Sequence, residues 1–387
     1  MFDEELRKLK GKGLLRELKW LESSQGPRVV INGEEYLNFS SNDYLGLTSH
    51  PEIIEAAINA LKKYGFGSGA SRLLSGSYIP HRELEERIAR FKGTEAALIF
   101  NTGYSANTGV IPAIVKSGDT VLSDELNHAS IIDGARLSKA EIKIYKHRDV
   151  NHLEELLKKF AGKKLVITDT VFSMDGDIAP LKDIVSLCKK YDALLIIDDA
   201  HATGVLGKTG RGAFEHFGIE ASTGSASGII QMGTLSKAFG CFGAFVAGSK
   251  DLIKLLTNKT RSFIYSTALP PALASAAIKA IDIVDSESHG LRDKLWKNRE
   301  RFYQGLRKIG YNTLDSETPI IPLVTGDIES TMRLSNYLYN NKIFVPAIRP
   351  PTVPEGKCRI RFSVTAAHTD GDIDMVLKSL RRFKESR

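Results

Sequence analysis

A chain of 387 residues is too long for one compact core and calls for about two domains. Its composition, 42% hydrophobic and 26% charged, is that of an ordinary globular protein, and no run approaches the roughly 18 apolar residues that cross a bilayer, so no membrane partner is expected. The net charge of +7 suits small anions, but the 53 Lys and Arg are spread out rather than gathered into a basic stripe, which excludes nucleic acid as the expected partner.

The charged start Met1-Phe2-Asp3-Glu4-Glu5 lacks the apolar core of a signal peptide, and a cytoplasmic protein is expected. Residues 1–45 read as an arm with a polar helix and a hairpin, 28–30 with 36–39 across Asn32-Gly33. The arm should lie against a small domain or a partner subunit. Residues 46–285 form the expected large domain. There, short apolar runs at 96–100, 120–123, 142–145, 165–168, 193–197, 228–232 and 244–247 read as strands. Helical periodicity lies between most of them. In 51–63, Ser49 stands in the capping region, Pro51 in the first turn and Gly65 beyond the end; in 181–191, Leu181, Ile184, Leu187 and Tyr191 share one face. This alternation predicts an α/β fold with a mostly parallel seven-stranded sheet covered on both sides. Residues 286–387 change pattern, with helices expected at 287–309, 329–341 and 370–383 and strands at 320–324, 343–348 and 359–364, a smaller α+β domain. Cys188, Cys241 and Cys358 are far apart and show no metal-ligand or disulfide spacing; Cys188 reads as a small buried hydrophobe, and no metal is expected.

Three segments carry chemistry. Leu194-Leu195-Ile196-Ile197-Asp198-Asp199-Ala200-His201 ends an apolar strand in two carboxylates and a histidine. Ligands of open α/β sheets sit outside the carboxyl ends of strands, and a carboxylate there is costly unless something positive needs it. Read alone, one Asp could instead bind loop amides, or a divalent metal could take Asp198, Asp199 and His201. Gly233-Thr234-Leu235-Ser236-Lys237-Ala238-Phe239-Gly240 puts a lysine among small and hydroxylated residues after the next strand, where it can share a crevice with Asp198. Phe100-Asn101-Thr102-Gly103-Tyr104 turns from a strand into a helix start, whose N–H groups bind phosphate well. The G-x-G-x-x-G fingerprint of a dinucleotide fold is absent.

Together these parts match the needs of pyridoxal 5'-phosphate (PLP): a lysine amine, an anion at the pyridine nitrogen, a phosphate cradle and a group over the ring. Asp198 can keep the nitrogen protonated, and His201 can bond near the ring phenolate. Ser173 and Thr234 supply hydroxyls, and His128 can cover the ring.

With Asn38-Phe39-Ser40-Ser41-Asn42-Asp43-Tyr44-Leu45-Gly46, Phe172-Ser173-Met174-Asp175-Gly176-Asp177 and Phe263-Ile264-Tyr265-Ser266-Thr267 added, nearly the whole chain resembles the α-oxoamine synthase family of fold-type I PLP enzymes. The resemblance implies that Lys237 holds PLP as a Schiff base and later moves the Cα proton, that Asp198 binds the pyridine nitrogen and that His201 binds the phenolate oxygen. Gly103, Tyr104, Ser173 and Thr234 would hold the phosphate side, Thr267 would reach a neighbouring subunit's phosphate in a homodimer, and His128 would stack on the ring. Asn42 and Arg361 would hold the amino-acid carboxylate; Arg16 and Thr352 would touch the acyl substrate. The segment Ala347-Ile348-Arg349-Pro350-Pro351-Thr352-Val353-Pro354 is similar to a substrate loop within the family, and that resemblance implies L-alanine with pimeloyl-CoA or a pimeloyl-carrier protein, the alternative being glycine with acetyl-CoA. Asp169 matches an acidic position that is Glu in some members of the family and Asp in others, and Tyr104 stands where the family often carries Phe.

Overall fold

The structure is a computed structural model that describes residues 2–219, 228–286 and 290–386. The polar helix α1 (Phe2–Gly11) buries no side chain. The hairpin β1 (Arg28–Ile31) and β2 (Glu34–Asn38) follows, with Asn32 and Gly33 at φ of 51° and 71°, as a tight two-residue turn requires. Next come α2 (Pro51–Tyr64), α3 (Ile79–Lys92), β3 (Ala96–Phe100), α4 (Gly103–Ile114), β4 (Thr120–Asp124), α5 (Ala129–Ser138), β5 (Glu141–Tyr145) and α6 (Val150–Lys159). Then β6 (Lys164–Asp169), α7 (Leu181–Lys190), β7 (Leu194–Asp198), α8 (Ala213–Phe217), β8 (Ile229–Thr234), β9 (Ala244–Gly248), α9 (Lys250–Lys259), α10 (Arg261–Ile264) and α11 (Pro271–Asp285). The chain ends with α12 (Leu291–Ile309), β10 (Ile320–Gly326), α13 (Ile328–Asn340), β11 (Ile343–Phe344), β12 (Ala347–Ile348), β13 (Cys358–Ser363) and α14 (Asp370–Glu385). No helix among the described residues is long and apolar enough to cross a membrane.

Two compact units result: Met1–Ser49, Ser173–Asp177 and Gly290–Arg387 in one, His50–Phe172 and Ile178–His289 in the other. The second holds a seven-stranded sheet in the order β3-β9-β8-β7-β6-β4-β5. Only β9 runs against its neighbours; the other pairs are parallel. The mostly parallel α/β architecture expected from the sequence is therefore present. The C-terminal ends of β3, β4, β6, β7 and β8 share one edge, and Asp124, Asp169, Asp198 and Thr234 all stand on it. Leu98, Val121, Ile167, Ile196, Ile230 and Val246 pack beneath Val110 and Ile111 of α4 and Ile131 of α5. Burying each such side chain contributes ~1.5–3 kcal/mol, which fixes the edge that carries the polar groups.

In the first unit, β10, β13 and β12 form one sheet, and β1, β2 and β11 another. Phe39, Phe302, Phe362, Leu323 and Leu380 fill its core. The expected strand 343–348 is divided: β11 pairs with β2 and β12 with β13. Between them stands Pro346, which has no N–H for a continuous ladder. Ser49 does not cap α2; its hydroxyl bonds Gln25 O at 3.2 Å, and His50 takes the N-cap position without capping the helix through its side chain. The start of the expected 287–309 helix, residues 287–289, lies outside the described residues.

Candidate active site

Asp198 is 4% exposed. Its Oδ1 accepts from Ala200 N at 3.0 Å and its Oδ2 from Asn107 Nδ2 at 2.8 Å. Asn107 reaches it from α4, which α5 can approach because residue 134 is glycine: a Cβ there would stand 2.6 Å from Asn107 O. The same contact brings Ser130 of α5 to 3.0 Å from Asn107 Nδ2. Asn107 is one of several polar residues in the first half of α4, beside Ser105 and Thr108, and no role was assigned to it.

Lys237 is half-buried in the turn between β8 and β9. The turn is closed by Leu235 N to Gly243 O and Gly240 N to Lys237 O, both 2.9 Å. Thr234 Oγ1 donates to Gly243 O at 2.9 Å and accepts from Ser236 N at 3.1 Å, so that hydroxyl also shapes the lysine's turn. Asp198 lies in register with Met232 of β8, two residues before Thr234.

Gly103 opens α4 behind the N-cap Thr102, whose side chain accepts from Ser105 N at 3.0 Å. Tyr104 is half-exposed; its hydroxyl donates to Asp133, and that bond is the main reason its acidity is weakened. Thr267 is exposed, forms an isolated bridge with Ser71 and accepts at its carbonyl from Asn101 Nδ2 at 2.9 Å. Asn101 thus ties the helix-start turn to the Thr267 segment.

His128 is the N-cap of α5. Its Nδ1 faces Ser130 N at 3.2 Å and Ser130 Oγ at 2.7 Å. Its main-chain N–H donates to Asp169 Oδ2 at 2.7 Å. Desolvation pushes the imidazole pKa down, Asp198 pulls it up and Lys237 pushes it down again. Lys237 and Asp198 therefore both act on the His128 ring. Asp169 stands in register beside Asp198 on β6 and is held well above the usual carboxylate range, first by burial and then by the charge of Asp198. It is a site group that motif reading left without a role. Its signal was a second carboxylate ending the neighbouring apolar strand.

The paired acid motif separates into two jobs. Asp199 is turned away into an ion pair with Lys92, 2.8 Å, and also binds Thr170, Thr203 and Ala213 N. This occupies a carboxylate that the metal alternative needed; among the described residues no cluster of His, Cys, Asp and Glu is arranged to hold a metal. His201 is buried, three residues past Asp198.

The remaining candidates lie in the other unit. Arg361 is 9% exposed on β13. Its guanidinium bonds Asn42 Oδ1 at 3.2 Å, Ser363 Oγ at 2.8 Å and Ser173 O, all neutral. No carboxylate among the described residues pairs with it. The structure thus brings Asn42, Ser173 and Arg361 together, with Ser173 contributing its carbonyl. Arg16 NH2 lies 3.4 Å from Thr352 Oγ1 and 3.3 Å from Pro350 O, so these two expected acyl contacts also meet.

The sequence profile described as aminotransferase class I and II matches residues 34–380. The chain belongs to that family. It is 50% identical over 382 residues to the 8-amino-7-oxononanoate synthase of Geobacter sulfurreducens, covering 98% of this chain and 96% of the relative. Among solved structures, a serine palmitoyltransferase from S. paucimobilis with a bound PLP–myriocin aldimine matches with a TM-score of 0.92 and 32% identity, over 100% of this chain and 97% of that one. An 8-amino-7-oxononanoate synthase from Francisella tularensis matches with a TM-score of 0.78 and 30% identity, over 91% and 98%. These likenesses bear out the resemblance to α-oxoamine synthases drawn from the motifs.

Proposed function

We propose that this protein is a PLP-dependent 8-amino-7-oxononanoate synthase, which condenses L-alanine with a pimeloyl thioester, releasing CO2 and the thiol. The observation that carries the reading is the buried Asp198 carboxylate, bonded only by neutral donors among the described residues, on the same sheet edge as Lys237. Asp169 stands in register beside it and is held above the usual carboxylate range, first by burial and then by the charge of Asp198, so the acceptor at this edge is Asp198. A pyridinium fits this acceptor set, and the N-terminus of α4, opened by Gly103 behind the Thr102 cap, fits a phosphate.

Asp198 would hold the pyridine nitrogen, Lys237 the aldehyde carbon, and Gly103, Tyr104, Ser173 and Thr234 the phosphate side. His201 would bond the phenolate oxygen and His128 would lie against the ring. Bound PLP supplies an electron sink for the pair left at the amino-acid Cα. The rest of the chemistry belongs to side chains. Arg361 and Asn42 orient the alanine carboxylate, and Lys237 Nζ takes the Cα proton and returns one after CO2 leaves. With His128 Nδ1 accepting from Ser130, Nε2 carries the proton that can meet the thioester oxygen as charge develops there. Arg16 and Thr352 contact the acyl chain, whose carrier is CoA or a carrier protein.

The functional unit is a cytoplasmic homodimer in which Thr267 reaches the neighbour's phosphate. Exposed Phe66 (85%), Leu74 (80%) and Tyr265 (73%) support that assembly, since large apolar groups of this kind gain by burial against a second copy.

Relatives at about half identity carry the synthase name, and nothing favours the glycine and acetyl-CoA alternative. Product analysis with alanine and pimeloyl-CoA, set beside glycine and acetyl-CoA, tests the assignment. Turnover of the second pair alone overturns the substrate reading. A wild-type rate in Lys237→Ala, or no visible cofactor band sensitive to borohydride, overturns the cofactor reading.

A further inference from the structure

Four residues form a hydrogen-bond chain whose fixed donors favour one direction. Asp198, as an ionised carboxylate, can only accept, so the amide nitrogen of Asn107 must face it, 2.8 Å from Oδ2. The second hydrogen on that nitrogen then points to Ser130 Oγ at 3.0 Å. Ser130 Oγ accepts there and directs its own hydrogen to His128 Nδ1 at 2.7 Å. The main-chain N–H of Ser130 also points at Nδ1, from 3.2 Å. Nδ1 therefore meets two donors. At the opposite side of the residue, the His128 main-chain N–H is fixed on Asp169 Oδ2 at 2.7 Å, so the turn cannot swing away.

We propose that Asn107 and Ser130 are positioning residues that carry the orientation set by Asp198 to His128 and lock its imidazole as the Nε2–H tautomer. A proton on Nδ1 would confront the Ser130 main-chain N–H, which is fixed at the helix start and cannot turn away, and would leave the Ser130 hydroxyl hydrogen without its acceptor. The charged groups that act on the ring are Asp198 and Lys237, of opposite sign, and they partly offset each other. Asp169 meets the main chain of His128 rather than its ring. The chain thus adds a directional constraint to a nearly balanced field.

This inference deepens the reading of His128 as a donor to the acyl substrate and rests on that reading for its kinetic consequence alone. The test is 15N spectroscopy of the full-length holoenzyme with labelled histidine, the His128 signals assigned by their absence in His128→Gln. Wild type should show a protonated Nε2 and an unprotonated Nδ1 at pH 7. Ser130→Ala should raise the His128 titration midpoint by ~0.5 unit or more toward the ordinary value of about 6.5, and Ser130→Thr should restore it. Asn107→Leu, which leaves Ser130 free to turn, should move it the same way. In turnover, Ser130→Ala should lower kcat about tenfold with the alanine KM within about twofold. A wild-type ring protonated on Nδ1 overturns the proposal without any variant, as does a titration that Ser130→Ala leaves in place. The spectra are read without turnover, so a failed substrate assignment leaves them interpretable.

Discussion

Lys92 and Asp199 form an ion pair sealed from solvent, with Nζ 2.8 Å from Oδ2 and side chains 1% and 0% exposed. Lys92 ends α3 and also bonds Thr203 Oγ1 at 3.3 Å and Arg211 O at 2.5 Å. Asp199 Oδ1 takes Thr170 Oγ1 at 2.8 Å, and the same hydroxyl bonds Asp198 O at 3.1 Å. The pair therefore pins the loop that follows Asp198.

Removing one partner strands the other charge. Lys92→Met should cost about 3–5 kcal/mol of stability in urea unfolding. The double variant Lys92→Met with Asp199→Leu should recover part of that loss, because no lone buried charge remains. A double-variant loss equal to the sum of the two single losses would show that the pair is not coupled.

Arg361 poses the opposite case, a buried cation bonded only by neutral groups. If Arg361 holds the substrate carboxylate as proposed, its planar guanidinium can do so bidentately, which lysine cannot reproduce. Arg361→Lys should raise the alanine KM by roughly ten- to a hundredfold, against ~1.4–3 kcal/mol of lost charge-assisted bonding. The KM of the acyl donor should change little. Steady-state kinetics with each substrate varied in turn separates the two, and an unchanged alanine KM would remove Arg361 from the carboxylate site.

The sheet was legible because buried parallel strands are apolar throughout, so β3 to β9 stand out as runs separated by helical periodicity. Asp198 and Lys237 were legible because a charge at the end of such a run is conspicuous. Asn107 and Ser130 were not, since their partners come together only through the close crossing of α4 and α5 at Gly134. The adjacent aspartates looked alike in sequence; burial beside Lys92 sends Asp199 into the scaffold and leaves Asp198 to the site. The division of 343–348 between two sheets is likewise a tertiary choice that local propensity does not encode.

Two histidines should make the fold sensitive to acid. His81 and His368 are both fully buried, each with Nδ1 accepting a main-chain N–H and Nε2 facing a carbonyl. Burial pushes both imidazoles down from 6.5 to about 4. Between those values the unfolded chain binds a proton at each ring that the folded chain refuses, so stability is full above pH 6.5 and falls as pH drops toward 4. Each ring contributes roughly 3 kcal/mol to that loss. Urea unfolding across this window should show the decline, and His368→Gln should flatten it. A stability independent of pH in that range would contradict the burial of both rings.

Asp169 predicts a pH dependence of the other sign. Its carboxyl is raised well above 3.8, so above that value the unfolded chain gives up a proton that the folded chain retains. Stability is penalised progressively as pH rises through that interval. Asp169→Asn keeps an acceptor for the His128 N–H and carries no ionisable proton, and its amide can donate toward Asp198. The variant should therefore gain stability over wild type as pH increases from 5 to 8, measured by urea unfolding of the chain without added PLP. The titration of His128 should stay at its wild-type position, because the turn is still held. A variant that instead loses ground with rising pH would mean that Asp169 is ionised in the fold, its charge balanced by Lys237 rather than suppressed by Asp198.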